Sequence, residues 1–160
     1  MKKNNFTKLA STYLFAILVA ASMTTATRVY AQSNGLVTVQ SKMSFDQTVG
    51  GLKKGIAKNG MMVMSEINQG KMLAMTGIKL KAVSLFVGNP TVGNKLFSAD
   101  RAVGFVVPIR VNVYDDANGN TYISYVKPSA QLSTLGNKKV DMIAQMLDQK
   151  LQMLTGMFAK

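Results

Sequence analysis

Neither cysteine nor histidine occurs anywhere in the 160 residues. Without them there can be no disulfide, no thiol chemistry, no Ser-His or Cys-His nucleophile, and no hydrolytic zinc centre of the usual ligand set. Acids are scarce as well, seven against 19 lysines and arginines. Paired-carboxylate chemistry would have to draw on Asp46, Glu66, Asp100, Asp115, Asp116, Asp141 and Asp148. Asp115 and Asp116 lie in turn-forming sequence and Asp46 in the first turn of a helix pattern, which leaves Glu66 and Asp100 as the acids with chemistry open to them.

A long apolar run is also missing. The first 31 residues carry Lys2, Lys3 and Lys8, an apolar run around residues 13–21, and Val29-Tyr30-Ala31, the pattern of a secretory signal cleaved near Ala31. The run is shorter than the roughly 20 residues that cross a bilayer. Periplasmic or secreted localisation is the expectation, with residues 32–160 forming a single domain. That segment holds 15 basic and 7 acidic residues, net +8. Such a charge favours anionic partners, a small anionic ligand or weak contact with an anionic membrane surface among them. In this segment Arg101 and Arg110 are the only arginines and no aromatics interleave a basic cluster, so no nucleic acid is expected.

What is present reads as an α+β chain. Leu36 to Gln40 is strand-like, and Ser44 with Gln47 makes a capping box for a helix whose stripe is Phe45, Val49, Leu52 and Ile56. Asn59-Gly60 ends that helix, and residues 61–67 alternate as a second strand with Met61, Val63, Ser65 and Ile67 on one side. A turn or short helix follows at residues 69–75. Val83, Leu85 and Val87 mark a third strand ending at Gly88, with Asn89 and Pro90 placed to cap and open a short helix. The alternation of Phe105, Val107, Ile109, Val111 and Val113 predicts a fourth strand, joined through Asn118-Gly119 to a fifth over Thr121–Val126. The run from Asp116 to Asn120 imitates the start of a calcium loop but lacks its later Gly and Glu, so it reads as a hairpin turn. The order is strand, helix, four strands, helix: an antiparallel sheet with helices packed on one face.

The last helix, over residues 138–158, carries two stripes. Val140, Ile143, Leu147, Leu151, Leu154 and Phe158 form the core stripe; Met142, Met146, Met153 and Met157 lie about 110° round the helix. Covering a sheet needs one stripe, so the methionines are candidates for an interface with a twin, a partner protein or an apolar ligand. Met62, Met64, Met72 and Met75 have spacings that a Cu(I) thioether site could use, against the alternative of flexible core filling. No cofactor is implied.

Several segments together resemble the bacterial domain of unknown function 302 (DUF302): Ser44-Phe45-Asp46-Gln47-Thr48-Val49, Phe86-Val87-Gly88-Asn89-Pro90 followed by Val92-Gly93, Pro108-Ile109-Arg110, and Tyr125-Val126-Lys127-Pro128. The resemblance covers about residues 36–135. It implies a layout similar to the TATA-binding-protein-like arrangement, often as a homodimer, with no agreed activity. Many members carry an Asp-His pair after the second strand, where this chain has Ile67-Asn68-Gln69, and Asn94 stands where a Thr is common, so no role resting on that histidine is implied here.

The functional expectation is therefore a non-catalytic binding or interaction module. Its ligand candidates are Gly88, Asn89, Pro90, Lys95, Arg110, Tyr114 and Tyr125. The alternative is an enzyme using Glu66 or Asp100 with Tyr114 or Tyr125.

Overall fold

A computed structural model describes residues 35–160; the expected signal peptide lies outside the described residues. Five strands form one antiparallel sheet in the order β1-β5-β4-β3-β2, with β1 at Leu36–Gln40, β2 at Met62–Ile67, β3 at Ala82–Gly88, β4 at Ile109–Asp115 and β5 at Thr121–Val126. Helix α1 (Phe45–Lys58) follows β1, short α2 (Gln69–Ala74) joins β2 to β3, and α3 (Pro90–Ala99) follows β3. After the β4–β5 hairpin come the one-turn α4 (Pro128–Leu132) and the long α5 (Lys138–Gly156). This is the expected α+β layout.

The strand alternation decides which face is covered. Val83, Leu85 and Val87, then Ile109, Val111 and Val113, then Ile123 and Tyr125 are all buried, against Leu52 and Ile56 of α1 and Val140, Leu147, Leu151 and Leu154 of α5. Each such aliphatic side chain contributes about 1.5–3 kcal/mol by leaving water. At the start of α1, the Gln47 Oε1 accepts the Ser44 backbone N–H at 3.2 Å and its hydroxyl at 3.1 Å, and Gly60 takes φ +68° to turn the chain out.

Two strand expectations need correction. The fourth strand begins at Ile109, not Phe105: Arg101–Phe105 is a 3-10 turn started by the Asp100 Oδ1, which accepts the Ala102 N–H at 2.8 Å. Phe105 is 60% exposed in consequence, and Pro108 has no N–H to give a ladder. In β2 the register shifts between Val63 and Ser65, so Met64 is an extra, bulged residue. Val63 pairs with the core-facing Val87 whereas Ser65 pairs with Phe86 on the other face, and the simple alternation of residues 61–67 is lost.

Candidate functional site

The face of the sheet turned away from α1 and α5 carries a polar row. In the antiparallel register Thr38 pairs with Ser124, Ser124 with Asn112, Asn112 with Ser84, and Ser84 with Ile67. Partners in a ladder share a face, so three small polar side chains on β5, β4 and β3 stand side by side across the centre of the sheet. Above β3 this row is roofed. Helix α2 starts with Asn68 as its cap, its Oδ1 accepting the Lys71 N–H at 2.8 Å, and this turns Gln69 back over Ser84. Gly70 is needed for the approach: a Cβ there would lie 2.5 Å from the Leu80 carbonyl oxygen.

Gln69 Nε2 donates to Ser84 Oγ, and the Ser84 hydroxyl donates to Asn112 Oδ1 at 3.3 Å. The chain is polarised in one direction. It leaves Gln69 Oε1 buried with no hydrogen-bond partner, and among the described residues it is the only buried side-chain N or O atom in that state. A buried acceptor left open costs about 1–3 kcal/mol unless something supplies a proton donor.

Beside this network is a hollow of about 480 Å³. Its polar lining is Gln69, Ser84, Arg110, Asn112, Ser124 and Gln131; Leu36, Phe86, Phe105 and Val126 are among its apolar walls. Arg110 pairs with Phe86 in the ladder and is exposed, and the single ion pair among the described residues is elsewhere, between Lys53 and Glu66. Its planar guanidinium is thus available to a carboxylate or another anion. The hollow offers one cation and amide and hydroxyl groups, with the buried Gln69 Oε1 on one of its lining residues.

The expected site residues divide between places. Arg110 and Tyr125 line this hollow, though Tyr125 comes from the core side and is only 3% exposed. Burial pushes its phenol above the usual 10.0; a hydrogen bond with Thr155 opposes that and the negative charge of Asp148 adds to it. Tyr114 stacks on Tyr122 with ring centroids 5.6 Å apart. Gly88, Asn89 and Pro90 line a separate cavity, and Lys95 is exposed on α3 and lines neither.

The groups weighed for catalysis have other tasks. Glu66 is ion-paired with Lys53, and Asp100 holds the 3-10 turn. The four methionines weighed for copper belong to two elements: Met62 pairs with Gly88 and Met64 lies against it at one end of β3, while Met72 and Met75 belong to α2 and its C-terminal cap, and the Gly70 of that helix lies against Ala82 at the other end. Seven residues of strand separate those ends by about 20 Å. Met142, Met146, Met153 and Met157 are 66%, 41%, 52% and 49% exposed, so the second stripe of the last helix is on the surface.

Gln69, Ser84, Asn112 and Ser124 were not singled out by sequence reasoning. Their signal was available for the last three, since each is a polar residue at a position that alternates with the buried apolar ones of its strand. Gln69 stands in the segment where the resemblance expects an Asp-His pair, but its contact with Ser84 depends on where α2 folds.

A family model for the domain of unknown function DUF302 matches residues 37–157. Two similar curated proteins are the fluoride-specific ion channel FluC 1 of Brucella suis biovar 1 and that of Brucella abortus biovar 1, each 30% identical over 106 residues and 64% of this chain. The match takes in 42% and 39% of those proteins, so the chain spans about two-fifths of the length of the curated relatives it matches. Among solved structures, the crystal structure of an uncharacterized conserved DUF302 protein from Bacillus stearothermophilus superposes with a TM-score of 0.73 at 21% identity, over 79% of this chain and 99% of that one. That likeness is one of fold.

Proposed function

The chain belongs to the DUF302 family, and on that footing we propose that it is a non-catalytic binding module which holds a small anionic ligand on the open face of its sheet. The observation that carries this reading is the buried, unpartnered Oε1 of Gln69 beside a hollow that also contains Arg110. An anionic group on the ligand meets the Arg110 guanidinium, and an O–H or N–H on the same ligand donates to Gln69. Small hydroxy- or amino-carboxylates have both features. Its polar groups are three amides, two serine hydroxyls, an arginine and the Tyr125 phenol, none of them an acid or an imidazole, and they suit binding and orienting.

We propose further that the module acts after export, from the basic, apolar, small-residue pattern of its first 31 residues, and that it pairs with a second copy through the exposed methionines of α5. The name fluoride-specific ion channel belongs to proteins of which this chain spans about two-fifths, and no helix of the described residues is long and apolar enough to cross a membrane. Fluoride therefore enters only as one anion to be tested.

Isothermal titration of the full chain with a panel of small hydroxy- and amino-carboxylates, with fluoride alongside, tests the reading. It predicts saturable heat with at least one carboxylate and its loss in Arg110→Ala. No saturable binder in the panel, or binding that survives Arg110→Ala unchanged, counts against it.

A further inference from the structure

We propose that the cavity at the Gly88-Asn89-Pro90 corner is a second binding site, one that takes a small uncharged apolar molecule. It measures about 230 Å³ and lies between the end of β3, helix α3 and helix α5. Val87, Leu96, Ile109 and Leu147 line it, each at most 5% exposed. Met64 and Phe97, 56% and 45% exposed, line it where it meets solvent.

The polar groups of the corner are already satisfied. Asn89 Oδ1 accepts the Val92 N–H at 2.9 Å, and its Nδ2 donates to the Gly60 carbonyl oxygen. A charged or strongly hydrogen-bonding ligand would lose its water and find no partner. An apolar one loses nothing. An apolar cavity of about 150 Å³ is enough to bind benzene, and this one is larger.

Two glycines shape the corner. Gly93 lies within α3, where glycine weakens a helix relative to alanine, and an added Cβ would meet nothing within 4 Å. Neither crowding nor a left-handed backbone requires glycine there; it leaves the cavity wall bare. At Gly88 an added Cβ would come 2.7 Å from the Met64 Sδ, so the missing side chain is what lets the Met64 thioether lie across the corner. Flexible and polarizable, that thioether can follow the shape of an apolar guest and contact its ring edge.

The test uses the full chain with 13C-methyl methionine, titrated with benzene and followed by 1H–13C correlation spectra. The Met64 methyl is expected to shift saturably, while those of Met75 and Met142, 84% and 66% exposed, stay in place. Gly93→Leu, which puts a branched side chain at the wall, is expected to weaken benzene about tenfold or more; Gly93→Ala controls for helix propensity and keeps most of the binding. Absence of a saturable Met64 shift in the unaltered protein overturns the proposal, as do parallel shifts of all exposed methionines. So does a folded Gly93→Leu variant that binds as before.

Discussion

Gln69 on α2 and Ser84 on β3 are joined by a hydrogen bond across the open face of the sheet, and the bond uses only one arm of the Gln69 amide. The other arm, the Oε1, is buried and open. Such a group is closed by a proton donor, from a ligand or from water. Gln69→Met keeps the length of the side chain while removing both the bond to Ser84 and the open oxygen. Leaving the buried Ser84 oxygen without its donor costs about 1–3 kcal/mol, and deleting the unpaired Gln69 acceptor returns about as much. Urea denaturation should therefore show the variant within about 2 kcal/mol of the parent, while its affinity for the anionic ligand falls. A destabilisation beyond about 2 kcal/mol would mean that Gln69 serves the fold.

Gly93→Ala has a separate expected effect on stability. The Cβ enters open space and the helical backbone suits alanine, so the variant gains about 0.5–1 kcal/mol. Chemical denaturation checks this directly; a loss would place an unrecognised contact at that wall.

Tyr125 sets an alkaline limit. Because burial raises its folded pKa above the unfolded 10.0, the neutral phenol's contribution is fully present below pH 10 and is lost as pH rises through the folded value. Melting temperatures measured from about pH 9 to 11 should fall less steeply in Tyr125→Phe than in the parent. Identical slopes would assign the alkaline loss to other groups.

Met146 and Met153 test the surface stripe. Replacing both with Asp puts two charges in the apolar arc without touching the core stripe, so the monomer should keep its fold. Native mass spectra or light scattering should then show a dimer in the parent and a monomer in the double variant. A monomeric parent, or a variant that still pairs, would remove the stripe from the assembly account.

The order of elements, the hairpin at Asn118-Gly119, both caps at Asn59-Gly60 and Asn89-Pro90, and the α5 core stripe were legible because each rests on local chemistry: periodicity, turn residues and capping side chains. Phe105 was misread because its alternation with Val107 continues the pattern of β4, and a 3-10 turn set by Asp100 overrides it. Ser65 and Ile67 part from Met61 and Val63 because the bulge at Met64 inserts one residue without altering composition. The site was half legible. Arg110 stood out by charge, and Ser84, Asn112 and Ser124 could have been found as an outward row only once the strand order and register were known. Gln69 was visible only as a departure from the family's Asp-His pair; its part in the site comes from contact with a residue 15 positions away.

The central claim, a small anionic ligand held by Arg110 and Gln69, is tested most directly by native mass spectrometry of the chain purified gently from cells that produce it. The account predicts a small-molecule adduct that leaves as an anion on activation and is absent from Arg110→Ala. A parent spectrum free of any adduct, or one whose adduct persists in Arg110→Ala, would contradict it.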